Sequence, residues 1–152
     1  MPAIYVDADG CPVKQEVYRV ARRYGLKVIL VANSRMRVPE ADWLDQVVVE
    51  GKFDAADDWI VDHVGAGDIV VTTDIPLAAR CLGKNAFVLS PTGHRFTGEN
   101  VGEALASREI LARMREQGVM TGGPAPFEQK DRSRFLQRLD DLVQAARRRT
   151  PL

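Results

Sequence analysis

Residues 3–12 read AIYVDADGCP, and this stretch decides the fold. An apolar run at 3–6 is followed at once by two acidic residues, Asp7 and Asp9, and then by a proline that suits the first turn of a helix. Residues 68–76, DIVVTTDIP, repeat the pattern with Asp74 as the acidic residue. Continuous apolar runs, rather than alternating ones, indicate buried strands of a parallel sheet that is covered by helices on both faces.

The same reading extends along the chain and predicts a three-layer, Rossmann-like α/β fold. Five strands are predicted at residues 3–6, 27–32, 46–49, 68–73 and 86–89, with helices at 12–24, 54–64 and 75–82. A right-handed doubly wound sheet of this kind takes the strand order 3-2-1-4-5.

Beyond residue 89 the pattern changes. We expect a turn-rich loop at 90–98 and two amphipathic helices at 100–117 and 128–149, joined by a Gly/Pro-rich connection at 118–126. In the first of these helices Val101, Leu105, Leu111 and Met114 form an apolar stripe. The prediction is a single domain over 1–152, with a C-terminal helical extension at 100–149.

The composition is that of an ordinary globular protein, with 152 residues, 45% hydrophobic and 28% charged. No apolar run approaches the length of a membrane span, and the N-terminus lacks the pattern of a signal peptide, so we expect a cytoplasmic protein without a membrane partner. Two cysteines without CxxC spacing indicate free thiols and argue against structural zinc. The net charge is −5 over residues 1–75 and +5 over residues 76–152, a division that would suit a polyanionic partner.

Carboxylates collect at one predicted edge of the sheet. Asp7 and Asp9 are two residues apart, so an extended segment presents both side chains on one side. The predicted strand order makes the first and fourth strands neighbours, which brings Asp74 to the same place. Such a cluster repels itself unless a cation lies within it, and Mg²⁺ or Mn²⁺ prefers these oxygen ligands. Asp9 has the alternative role of a turn residue before Gly10 or a cap of the following helix, and Asp74 that of an N-cap, which is compatible with metal binding.

Three more aspartates, Asp54, Asp57 and Asp58, lie at the start of the helix at 54–64. Asp54 as N-cap, with the other two complementing the helix dipole, explains their pattern fully. Spacing alone therefore leaves open whether Asp57 or Asp58 faces the carboxylate cluster.

Basic residues follow predicted strands at the same edge. Arg35 and Arg37 come after the second strand, and His94 and Arg95 after the fifth. They are candidates for binding substrate phosphates, with solvated loop positions as the alternative. Along the last helix we expect a solvent face, with phosphate binding as the alternative, made of Lys130, Arg132, Arg134 and Arg138.

Four segments together resemble the YaiI/YqxD family of bacterial proteins: VDADGCPVK, FDAADDWIVDHV, DIVVTTDIPLAARCL and GGPAPFEQKDRSRFLQRLD. The resemblance covers essentially the whole chain. That family is grouped with PIN-like nuclease domains, in which acidic residues on a Rossmann-like sheet bind magnesium or manganese. The resemblance implies that Asp7, Asp57 and Asp74 are the catalytic acidic residues, with Asp9 and Asp58 as further candidate ligands.

The leading expectation is a metal-dependent nuclease acting on RNA or single-stranded nucleic acid. One alternative is a phosphatase of the haloacid dehalogenase type, because DADG resembles its Asp-x-Asp start, with Asp7 as nucleophile and Asp9 as acid/base. Against it, Asp57 and Asp58 precede the fourth strand on a helix, and no lysine is clearly placed to neutralise a phosphoenzyme. A non-catalytic RNA-binding or interaction module is the third expectation, which the lack of aromatics among the basic residues disfavours.

Overall fold

The computed structural model describes residues 2–51, 54–118 and 126–149. In these ranges the chain forms six strands and five helices. In chain order they are β1 (Ile4–Asp7), α1 (Lys14–Tyr24), β2 (Val28–Ala32), β3 (Leu44–Val48), α2 (Ala55–His63), β4 (Ile69–Val71), α3 (Ile75–Leu82), β5 (Phe87–Leu89), β6 (Arg95–Phe96), α4 (Gly98–Glu116) and α5 (Gln129–Arg149).

The strands form one sheet of order β3-β2-β1-β4-β5-β6. β1 to β5 are parallel to their neighbours, and in the centre Ile4 pairs with Val28 on one side and Ile69 on the other. The predicted order 3-2-1-4-5 is confirmed. β6 was not predicted: it lies in the stretch expected to be a loop, and it pairs antiparallel with β5. The five parallel strands end at one edge of the sheet, here called the carboxyl edge.

Successive strand residues point to opposite sides of the sheet, so both faces carry apolar side chains. Helices cover both faces. Ile4 and Val6 pack in a core with α1 and α5, whereas Tyr5 packs on the other face with α2, α3 and the start of α4. The apolar side of α5 is buried in the first core, where Leu136 is half-buried and the fully buried residues are Phe135, Leu139, Leu142, Val143 and Ala146.

Several predicted boundaries differ from the structure. α1 begins at Lys14, so Pro12 lies before the helix rather than in its first turn, and Gly25 ends it with a φ of 67°. α4 begins at Gly98 because Thr97 and Asn100 form a capping box, in which each side chain binds the other residue's backbone N–H.

Most of the predicted Gly/Pro-rich connection, and Phe53 of the FDAADDW segment, lie outside the described residues. Among the helices that the structure describes, none is both long and apolar enough to cross a membrane.

Candidate metal centre

β1 and β4 are the adjacent strands from which the chain leaves towards opposite faces of the sheet. α1 follows β1 on one face and α3 follows β4 on the other. The carboxyl ends of two such strands border a crevice, which is where open α/β sheets bind ligands. The first two acidic segments singled out in the sequence, at Asp7 and Asp74, meet at this crevice.

A buried threonine links these two segments. Asp7 is the last residue of β1, and its Oδ2 accepts a hydrogen bond of 2.8 Å from the Thr72 hydroxyl. The same hydroxyl accepts a bond of 2.9 Å from the Asp74 backbone N–H, and Thr72 is 1% exposed. Thr72 therefore fixes both acidic segments against each other. This role was not predicted from the sequence. The available indication was a threonine in the predicted buried strand at 68–73, two residues before Asp74.

Asp74 is the N-cap of α3, which was the alternative role expected for it from the sequence. Its Oδ1 accepts a hydrogen bond of 2.9 Å from the Leu77 backbone N–H. This bond engages only one of the two carboxylate oxygens of Asp74. The capping role is therefore compatible with binding a cation.

Asp57, in the first turn of α2, joins Asp7 and Asp74 electrostatically. The pKa of its carboxyl is raised to about 6, chiefly by burial and then by the negative charges of Asp74, Asp7 and Asp54. The positive charge of Arg80 opposes this rise. These charge effects put the carboxylate of Asp57 within electrostatic reach of the carboxylates of Asp7 and Asp74. Asp54 stands at the N-cap position, but its side chain makes no capping hydrogen bond, contrary to the capping alternative.

The pKa of the Asp7 carboxyl is also raised, chiefly by burial and then by the charges of Asp74 and Asp9. The hydrogen bond from Thr72 opposes this rise. The charged form of a carboxylate that ends a buried strand beside other carboxylates is thus unfavourable. A bound cation relieves this situation.

The two additional candidate ligands have other partners. Asp9 is exposed at the rim of the crevice, where its Oδ2 accepts a bond of 2.9 Å from the Asn33 backbone N–H, just after β2. Asp58 is exposed and forms an ion pair of 2.9 Å with Arg80 of α3. Of the five predicted ligands, the structure groups Asp7, Asp57 and Asp74, places Asp9 beside them and pairs Asp58 with Arg80.

The donor set suits a hard divalent cation. Three carboxylates supply the oxygen ligands that Mg²⁺ and Mn²⁺ prefer, and such ions usually complete their shell with water and substrate phosphate. Among the residues described, no three His, Cys, Asp or Glu side chains are already arranged as the ligand set of one ion. A cation shared by Asp7, Asp57 and Asp74 would therefore require these side chains to move towards one another.

The predicted phosphate-binding residues occupy different parts of the molecule. Arg35 and Arg37 are exposed in the segment after β2, on either side of Met36, whose backbone binds the Gln46 side chain of β3. His94 is exposed beside the end of β5, with its ring edge-on to Phe96. Arg95 lies on β6, and its guanidinium sits 5.2 Å from the ring centroid of Phe87, the first residue of β5. That contact draws the Arg95 side chain away from the edge that carries the carboxylates.

Three of the four basic residues that the sequence analysis named on α5 form ion pairs. Arg132 Nη1 donates to Glu16 and to the Pro12 carbonyl, each at 2.8 Å, which ties α5 to the start of α1. Lys130 pairs with Glu128, and Arg134 lies 3.6 Å from Asp131. Arg134 and Arg138 are exposed, as expected for the solvent face of this helix.

Comparison with known proteins places the chain among bacterial relatives. The family model described as "Uncharacterized BCR, YaiI/YqxD family" matches residues 5–145. The chain is 54% identical over 149 residues to a UPF0178 protein of Rhodospirillum centenum, covering 95% of this chain and 97% of that protein. It is 50% identical over 151 residues to a UPF0178 protein of Paramagnetospirillum magneticum, covering 99% and 100%. No solved structure matches it. Because the family model spans nearly the whole chain and these relatives match end to end, the protein belongs to the YaiI/YqxD family, UPF0178.

Proposed function

We propose that the protein is a divalent-metal-dependent nuclease that cuts RNA or single-stranded nucleic acid. The observation that carries the proposal is the electrostatic grouping of Asp7, Asp57 and Asp74 at the crevice between β1 and β4. Burial and the charges of neighbouring carboxylates make Asp7 and Asp57 costly to ionise, and a bound divalent cation would relieve this cost.

Each side chain has a task in this proposal. Bound Mg²⁺ or Mn²⁺ would neutralise charge on the scissile phosphate and lower the pKa of an attacking water. Asp7, Asp57 and Asp74 would hold the ion, and Thr72 would keep Asp7 and the Asp74 turn in place through its two hydrogen bonds. Asp9, exposed at the rim, is available to orient water, whereas Asp58 is tied to Arg80.

A polyanionic substrate follows from the surroundings of the site. Arg35 and Arg37 are exposed in the segment after β2, from which they would contact phosphates on either side of the scissile bond. The alternative phosphatase chemistry would use Asp7 as nucleophile and Asp9 as acid/base. In the structure, however, Asp9 accepts its hydrogen bond from the chain after β2, and the Asp57–Asp58 pair lies on α2 rather than at a strand end.

The test is cleavage of a labelled single-stranded RNA by purified protein in Mn²⁺. Wild type should cut, and Asp7→Asn should lower the rate by about a hundredfold or more, because it removes charge stabilisation from the reacting centre. Asp45→Asn is the matched control, since Asp45 is an exposed residue of β3 that pairs with Lys27 away from the crevice. Equal cleavage by wild type and Asp7→Asn would reveal a contaminating nuclease and reject the proposal.

A further inference from the structure

The helix α4 is much longer than the helix against which it packs. α4 has 19 residues and α3 has 8. At about 1.5 Å per residue, α4 is roughly 16 Å longer than α3. The extra length must extend past one end of α3, and the topology shows which end.

α4 starts at the edge of the sheet opposite the carboxyl edge. β6 runs antiparallel to β5 and so carries the chain away from the carboxyl edge. At the end of β6, Thr97 and Gly98 line a cavity together with Leu82 and Asn85, which lie at the end of α3. Because α4 then packs along α3, it runs back towards Asp74 and the carboxyl edge.

Burial along α4 marks where it leaves the body of the protein. Val101 is buried, and Ala104 and Leu105 are half-buried. Residues 106–111 are all exposed, and this stretch includes the two exposed large hydrophobic residues of the described chain, Ile110 at 56% and Leu111 at 44%. In residues 106–116, called here the α4 arm, Ala112 and Met114 are half-buried and the other residues are exposed, so most of the arm extends past α3 on the side of the carboxyl edge.

Two arginines of the arm lie on the same side of α4 as Val101. Val101 marks the face of α4 that packs on the body. At 100° per residue, positions seven and fourteen residues later return to within about 40° of that face, and these are Arg108 and Arg115. Arg113 lies about 120° round the helix from Val101 and pairs with Glu109 at 3.4 Å. Arg108 and Arg115 thus share the face of α4 that packs on the body of the protein, whereas Arg113 lies on another side of the helix.

We propose that the α4 arm is one wall of the substrate channel, on which Arg108 and Arg115 bind phosphates of a single-stranded nucleic acid. The inference rests on the proposed function, because it takes this polymer as the substrate of the carboxylate crevice. The two arginines are about 10 Å apart along the helix and so reach different phosphates of an extended strand. The carboxylates alone would repel such a strand, and the arm supplies positive charge beside them.

The experiment measures binding separately from cleavage. A fluorescein-labelled oligouridine is titrated with protein in EDTA, where metal-dependent cutting is suppressed, and anisotropy is followed at several salt concentrations. Arg108→Ala/Arg115→Ala should weaken binding at least tenfold and reduce the slope of log affinity against log salt by about 1.4, since about 0.7 of a counterion is released per phosphate contact on a single strand. Arg113→Ala, the control on the same helix, should change affinity less than twofold, and Arg108→Lys/Arg115→Lys should retain most of the binding.

Three results would overturn the inference: unchanged affinity in the double alanine variant, an equal loss in Arg113→Ala, or a loss accompanied by a fall in mass from dimer to monomer. The last result would make the arm a contact between two copies of the chain. Cleavage of RNA by wild type in Mn²⁺ reports on the nuclease proposal independently. If wild type cuts and the arm variants bind normally, the arm inference fails alone. If the arm variants lose binding but wild type does not cut, the nuclease proposal fails and the arm stands as a nucleic-acid-binding surface.

Discussion

At the scale of single residues, the site depends on what each carboxylate touches rather than on its spacing in the sequence. Asp57 and Asp58 are neighbours in the first turn of α2, and capping or the helix dipole would explain both equally. The structure separates them: burial and the charges of Asp74 and Asp7 raise the pKa of Asp57, whereas Asp58 pairs with Arg80. Only the direction of each side chain across α2 distinguishes them, and a helix start in a sequence does not reveal it.

The raised pKa of Asp57 predicts a pH-dependent stability. Its folded-state pKa is about 6 and its ordinary value 3.8, so folding favours the protonated carboxyl. This contribution is fully present below about pH 3.8 and is lost as the pH rises through 6. Without metal, Asp57→Asn should therefore be more stable than wild type at pH 7.5, by about 1 kcal/mol after allowance for solvent screening, and the difference should shrink towards pH 4.

Urea unfolding in EDTA at pH 4.5 and 7.5 measures this difference. Asp58→Asn is the control from the same helical turn. It loses an ion pair with Arg80 instead of a repulsion, so it should be neutral or slightly destabilised at pH 7.5. A destabilised Asp57→Asn at pH 7.5 would contradict the placement of Asp57 among the other carboxylates.

At the scale of elements, strands that are buried on both faces could be predicted because their apolar runs are continuous. Their parallel order then followed from the handedness of the crossovers. β6 could not be predicted, since Arg95 and Phe96 are too few residues to show a period, and the strand exists through its pairing with β5. α4 was predicted as a helix, but of its expected stripe Val101, Leu105, Leu111 and Met114 only Val101 is buried. A sequence period identifies an apolar face without identifying what covers it.

The turn between β5 and β6 gives an element-scale prediction. Gly93 has a φ of 87°, and a Cβ built there would lie 2.8 Å from Arg134 Cγ and 3.1 Å from the backbone of α5. Gly93→Ala should cost about 2–3 kcal/mol, because left-handed backbone strain adds to a collision with a packed helix. The measurement is the free energy of unfolding in urea.

Gly98→Ala is the matched control for that substitution. Gly98 begins α4, and a Cβ there meets no described atom within 4 Å, so alanine should be neutral or slightly stabilising in the helix. Similar unfolding free energies for the two variants would show that the turn does not depend on its close approach to α5.

At the scale of the whole molecule, the C-terminal helix α5 packs against the N-terminal half of the chain, which carries the carboxylates. α5 packs on α1, where the Tyr24 hydroxyl donates to Asp140 Oδ1 at 2.7 Å and Arg132 reaches Glu16. The first half of the sequence supplies the acidic crevice, and the more basic second half supplies α4 and α5. The charge division seen in the sequence therefore becomes an arrangement of an acidic centre with basic neighbours, which a count of charges along the chain could not show.

This arrangement predicts a crossover in stability on adding a divalent cation. In EDTA, Asp7→Asn should be at least as stable as wild type, because it removes a buried charge that Asp74 and Asp9 oppose, while the asparagine oxygen can still accept the Thr72 hydrogen bond. In Mn²⁺ at a hundred times its dissociation constant, wild type should gain about 2.7 kcal/mol by binding to the folded state, and Asp7→Asn should gain little. Thermal unfolding of both proteins with and without Mn²⁺ would show the order of stability reverse. Asp45→Asn, far from the crevice, should follow wild type in both conditions. If Mn²⁺ stabilised all three proteins equally, or none of them, the carboxylates of β1, α2 and β4 would be structural groups and not a metal centre.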